Sequence, residues 1–302
     1  MQRVRTSFAA MHLALAALIT AMPALAAQQG QPTLTPEERA RRRAEQERRL
    51  QEDLRAPRPI EGVNSVWLEE LTWMEVRDAI ASGVTTVIVA TGGIEQNGPY
   101  LALGKHNYVL QEACEGIART LGNALCAPIV KLVPEGNHEP ASGHMRYPGT
   151  ISLRQETFEA VLADVGQSLK AHGFTKIIYL GDSGGNQSGM ANTAKALNGR
   201  WGATFAYFIP QFYRYADVFA YMERELGIKE PTSDGLHDDF VITSIMMVHD
   251  PATVRYDQRV AAGKATINGL SIAPKEQAIE IGRKLLQFRV DETVKAIRAA
   301  IN

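Results

Sequence analysis

Four stretches of this 302-residue chain combine residue types that can do chemistry. Glu95 precedes His106 in one. Glu135, His138, Glu139 and His144 crowd a second. Gly181-Asp182-Ser183-Gly184-Gly185-Asn186 forms a third, and Asp234 with His237-Asp238-Asp239 a fourth. Carboxylates and imidazoles at this density suit hard or borderline divalent ions. The chain has two cysteines and no Cys-x-x-Cys, which excludes thiolate metal sites. Gly184 and Gly185 would let backbone N–H groups approach a developing oxyanion. Ser183 with His237 and an acid is the competing, nucleophilic chemistry. Each cluster also has a plain reading. An Asp ahead of a helix is a ready N-cap, and a lone His in a loop is often a structural hydrogen-bonder.

The elements that must position these groups alternate. Thr85–Ala90 (TTVIVA) and the KIIYL run from Lys176 are β-branched or continuously apolar, as strands buried on both faces should be. Ala127–Val133 and Thr204–Ile209 read as two further strands. Between them lie helical patterns at Leu71–Ser82 (Thr72 as N-cap, Gly83 as stop), Asn107–Leu121, Ser152–His172 and Gln187–Leu197. Gln211–Gly227, His237–Met247 and Lys275–Ile301 read as helices closing the chain. Strands alternating with helices at this spacing predict an α/β domain with a mostly parallel sheet and helices on both faces. Chemistry in such folds gathers at the carboxyl ends of the strands. The Glu95 loop and the Gly-rich turn both follow a strand.

The N-terminus reads as something other than fold. Arg3 and Arg5, an apolar run over Met11–Met22 and Ala24-Leu25-Ala26 make a secretory signal peptide over residues 1–27. Export, periplasmic or secreted, is therefore expected, with no membrane association after cleavage. Residues 28–62, rich in Gln, Arg, Glu and Pro, predict a charged, flexible arm in which Thr35-Pro36-Glu37-Glu38 could cap a short helix. The α/β domain is expected over 63–302. A net charge of −1 offers no attraction for nucleic acid. Cys114 and Cys126 are equally readable as a pair or as two buried thiols.

Taken in order, the motifs resemble those of the creatininase family. Its members carry Glu-Gln-His-Gly-Pro-His-Leu-Pro-Leu-Gly-Thr-Asp after an early strand, where Glu95–His106 reads EQNGPYLALGKH. They carry a His shortly before Phe-Pro-Gly-Thr-Ile, where this chain has His144 and then Tyr147-Pro148-Gly149-Thr150-Ile151. Asn-Gly-His-Gly-Gly-Asn corresponds to Gly181–Asn186, and His-Ala-Gly-Glu-x-Glu-Thr-Ser to His237–Ser244. The resemblance implies a three-layer α/β fold, a small-molecule substrate, a homo-oligomer and one or two divalent ions, Zn or Mn. The reaction it implies is hydrolysis of a non-peptide C–N bond in a small or cyclic amide.

Carried across, the family's metal ligands fall on Glu95, Asn97, His106, Ser183 and Ile242, so that only the glutamate is retained. The resemblance then implies a rebuilt metal set of Glu95, His106 and Asp182, with Asp239 and His138 as further candidates. The candidates for catalysis are His237, at the position matching the family's catalytic His, with His144 and Ser183, and those for the substrate and oxyanion are Gly184, Gly185 and Asn186. Two alternatives stand beside it. One is a non-catalytic binding protein on the same scaffold. The other is a serine esterase using Ser183 and His237, because Gly181-Asp182-Ser183 and Asp234-x-x-His237 are also similar to the SGNH/GDSL esterases.

Overall fold

Four runs of β-branched and apolar residues become strands: β1 (Thr86–Thr91), β2 (Ala124–Cys126), β3 (Lys176–Gly181) and β4 (Ala206–Phe208). In this computed structural model, which describes residues 34–231, 233 and 235–302, they form one parallel sheet in the order β2-β1-β3-β4. The expected signal peptide, residues 28–33 of the expected arm, and Asp234 lie outside the described residues.

Alternate residues of a strand point to opposite faces, and the two central strands use this to build two cores. Ile88, Ala90, Ile178 and Leu180 face one side. There they meet helices α3 (Lys105–Leu121), α7 (Phe240–His249) and α9 (Lys275–Ile301). Val87, Val89, Ile177 and Tyr179 face the other, against α4 (Gln155–Ala171) and α5 (Gln187–Trp201). The result is three layers, helix–sheet–helix, as the sequence predicts. Helices α2 (Trp73–Ala81), α6 (Tyr215–Leu226) and α8 (Tyr256–Ala261) and a hairpin of β5 (Thr266–Ile267) and β6 (Leu270–Ser271) complete the unit spanning Arg58–Asn302. Helices α7 and α9 approach so closely that a Cβ at Gly282 would collide with the Ser244 carbonyl, so only glycine fits there.

Three of the differences from the sequence reading have a plain physical cause. The second strand ends at Cys126 instead of covering 127–133. Ala127 and Val130 still donate to Ile88 O and Ala90 O at 2.9 Å, but Pro128 has no N–H and interrupts the ladder. The helix read as His237–Met247 begins at Phe240, because Asp239 caps it by accepting from Ile242 N at 2.6 Å. The charged arm carries a 20-residue helix, α1 (Pro36–Arg55), with a Thr35–Glu38 capping box and no buried residue. Its Arg, Glu, Gln and Ala content favours helix without any packing partner. Arg49 with Glu45 at 2.6 Å adds an i,i+4 pair. This helix belongs to the separate unit Met1–Pro57.

Cys114 and Cys126 form a disulfide that ties α3 to β2. None of the described helices is long and apolar enough to cross a membrane.

Candidate metal centre

Beyond β1 the chain makes a loop that returns on itself. Glu95 N donates to Leu103 O at 3.0 Å, and the Asn97 amide donates to Glu95 O at 2.9 Å and Ala102 O at 3.2 Å. Asn107 closes the base, donating to Gly93 O at 2.9 Å and accepting from Gly93 N at 3.2 Å. The first turn of α3 thereby delivers Lys105 and His106 to Glu95. From the neighbouring strand β3, Asp182 N donates to Thr91 O at 3.1 Å, which brings the Gly-rich turn alongside the same loop.

These buried groups form a chain of ion pairs. His106 Nε2 is 2.8 Å from Glu95 Oε1, and its Nδ1 is 2.8 Å from Asp182 Oδ2. The other Asp182 oxygen accepts from Arg289 of α9 and, at 2.9 Å, from the Tyr215 hydroxyl. Lys105 Nζ stands 3.3 Å from Glu95 Oε1. Burial works against every charge here, and the partners overcome it. Burial alone would raise Glu95, but His106 and then Lys105 hold its carboxyl well below the ordinary range. Asp182 is likewise held down by Arg289 and His106. His106 is raised because its bonds to Asp182 and Glu95 outweigh its burial.

On the open side of Glu95 stand two imidazoles. His144 Nε2 is 3.4 Å from Glu95 Oε2, and His237 Nδ1 is 3.7 Å from Glu95 Oε1. The two rings stack with centroids 4.4 Å apart. One donor atom from each of the three residues lies within 4.8 Å of the others. His237 is held at φ 62°, a left-handed conformation costly for a non-glycine residue. Its Nδ1 lies 3.0 Å from the Gln96 carbonyl and donates to it, and burial, then the charge of Lys105, pushes the imidazole down, which leaves the lone pair on Nε2. Donors about 3.3 Å apart are what a tetrahedral zinc with ligands at about 2.0–2.1 Å requires. The Glu95–His144 spacing meets that, so the residues present fit a divalent ion.

These three line a cavity of about 1160 Å³, together with Lys105, Ser183 and Tyr213. Glu135 also lines it, 6% exposed and buried against Glu95, with one oxygen lacking a hydrogen-bond partner. Burial, then the neighbouring Glu95 charge, pushes the Glu135 carboxyl up to about 9 from an ordinary 4.5. Its neutral form thus stabilises the fold fully below about pH 4.5, and that contribution is lost as pH rises through about 9. In metal-free protein, Glu135→Gln should therefore lose less melting temperature than wild type between about pH 6 and 9. Parallel declines in the two proteins would contradict this assignment.

The structure brings most of the set expected from sequence to one cavity but gives its members different partners. Glu95, His106, Asp182, His144, His237, Ser183, Gly184, Gly185 and Asp239 all border the cavity. However, His106 and Asp182 are bonded to each other and to Glu95, Tyr215 and Arg289, so both nitrogens of His106 and both oxygens of Asp182 already have partners. Asp239 is the cap of α7. His138 turns away, its Nε2 bonding Ser152 O at 3.0 Å. Asn186 is fully buried and spends its amide on Thr91 O, Thr91 Oγ1 and Gly92 O at 2.8–3.2 Å, which makes it a brace between strand ends. Gly184 lies against Tyr213, so that a Cβ there would come within 2.9 Å of the Tyr213 hydroxyl. Gly185 packs so that a Cβ would come within 2.6 Å of Pro134 O. Among the described residues no imidazole is hydrogen-bonded to Ser183 Oγ.

Sequence reasoning missed Lys105, Arg289 and Tyr215. Arg289 had a signal. It stands between Leu285 and Thr293 on the buried stripe of α9, where an unpaired Arg would be prohibitive.

The Creatininase family model, described as creatinine amidohydrolase, matches residues 69–297, more than half of the chain. The chain belongs to the creatininase family. Over 116 residues it is 26% identical to creatinine amidohydrolase of Pseudomonas putida, a match covering 38% of this chain and 44% of that protein. Over 166 residues it is 26% identical to the mycofactocin precursor peptide peptidase of Mycolicibacterium smegmatis, covering 53% of this chain and 64% of the relative. The matches thus span less than two thirds of the length of either curated relative. A crystal structure of creatinine amidohydrolase (creatininase) superposes with a TM-score of 0.61 at 20% identity, covering 78% of this chain and 98% of that one. At that identity the likeness establishes the fold alone. Solved creatininases of this fold include a Mn form and a Zn–Zn type mutant.

Proposed function

We propose that this creatininase-family chain is a metal-dependent amidohydrolase that cleaves a C–N bond in a small or cyclic amide. The observation that carries the reading is the placement of His144 and His237 on the cavity side of a Glu95 already fixed by His106 and Lys105. When bound, a divalent ion such as Zn or Mn supplies Lewis acidity and acidifies water.

The chain's own residues supply the rest. Asp182 and Arg289 lock His106, which aims Glu95. His144 N is held at 3.1 Å by Glu135 O, which sets the loop that carries its ring. Gly184 and Gly185 line the cavity without side chains, where peptide N–H groups can meet a developing oxyanion. Glu135 places a carboxyl in the same wall, from which the departing nitrogen can take a proton. Export is part of this reading, supported by the N-terminal signal pattern and by the Cys114–Cys126 disulfide, which persists in oxidising compartments.

A peptide substrate is the second reading. The cavity, about 1160 Å³, exceeds the roughly 300–1,000 Å³ typical of small-molecule sites.

The test is metal analysis of the purified mature protein, followed by assays on cyclic amides, linear small amides and short peptides. Stoichiometric metal, activity lost in chelator and activity restored by Zn or Mn are expected. Protein that carries no metal, and whose melting temperature and activity ignore added metal, overturns the reading in favour of a binding protein. Activity that survives chelation but is lost in Ser183→Ala overturns it in favour of a serine hydrolase.

A further inference from the structure

The inner face of the site is already occupied by side chains. His106 has a carboxylate oxygen 2.8 Å from each ring nitrogen, one from Glu95 and one from Asp182. Ionised carboxylates only accept hydrogen bonds, so both nitrogens must donate and neither keeps a lone pair for an ion. Asp182, 0% exposed, has its remaining oxygen taken by Arg289 and Tyr215. Glu95 Oε1 faces Lys105 Nζ at 3.3 Å as well as His106.

Lys105 is itself buried, with its side chain 5% exposed. Its ammonium also makes a long hydrogen bond, 3.5 Å, to His237 O. Its ammonium borders the cavity. Three cationic groups, Lys105, Arg289 and the doubly donating His106, thus stand against the two carboxylates Glu95 and Asp182. A second dication on this side would meet these like charges, and the one unbonded carboxyl oxygen beside Glu95 belongs to Glu135.

Resting on the metal-dependent reading above, we propose that the chain holds a single divalent ion on Glu95, His144 and His237. In this arrangement the Lys105 ammonium takes the place of a second cation beside Glu95. Lys105 is then a positioning residue. It fixes Glu95 Oε1 inward, leaves Oε2 for the ion, and lowers the site's affinity for that ion by its charge.

Metal-stripped protein is titrated with Zn or Mn, and bound metal is counted by elemental analysis and native mass spectrometry. One ion per chain is expected. Two ions per chain overturn this inference and leave the hydrolase reading intact, whereas none overturns the hydrolase reading itself. Lys105→Met is expected to bind the first ion at least about tenfold more tightly, because one opposing charge has been removed. Unchanged or weaker binding in a folded Lys105→Met protein overturns the role given to Lys105. If that variant does not fold, the wild-type stoichiometry still decides.

Discussion

Arg289→Met is expected to destabilise the protein by about 3–5 kcal/mol, because it takes the guanidinium from a fully buried Asp182 carboxylate and leaves His106 as its one cationic partner. The guanidinium makes three kinds of contact: it donates to Asp182, to Phe212 O at 2.9 Å and to the Tyr215 hydroxyl at 3.1 Å. It also lies 4.1 Å from the centroid of the Phe212 ring. Methionine restores the packing volume but none of the charge. The double variant Arg289→Met with Asp182→Asn should recover much of the loss, since removing both partners leaves no orphaned charge. Urea unfolding measures both proteins. A single-variant loss below about 1 kcal/mol, the range of exposed ion pairs, would mean that the network contributes nothing special.

His144→Ala should lower metal affinity by more than about 100-fold, the upper range seen when only an outer-shell partner of a ligand is lost. Its side chain is 29% exposed at the cavity rim, so the fold should tolerate the change and melting temperature without metal should move little. Hydrolysis should fall with metal content and recover in part at high metal concentration. Affinity within threefold of wild type would remove His144 from the ligand set. His138→Ala serves as the control. That ring bonds Ser152 O and does not border the cavity, so its loss should leave metal affinity unchanged.

The two imidazoles were legible only as residues. His144 and His237 are separated by two strands and three α-helices, so no spacing rule could bring their rings to 4.4 Å. Conversely, Glu95 and His106 are neighbours on one loop, and their proximity was readable from the turn that Leu101–Gly104 makes back towards Glu95. Their function was not. A His beside a Glu reads as a ligand until the Asp182 carboxylate is found on its other nitrogen. That carboxylate comes from β3, and the parallel pairing of β1 with β3 places it there.

Strand–helix alternation, the layered architecture and the family were all set by local pattern, because hydrophobic periodicity and motif order are properties of the chain itself. Burial and partnership decided the rest. Arg289, far along the last helix, claims Asp182. Lys105 claims one oxygen of Glu95. Asn186 turns from the substrate side to a brace beneath it. The Gly181–Asn186 turn looked alike before and after folding. Only long-range charge pairing, which has no period in sequence, determined which of its atoms remained free for chemistry.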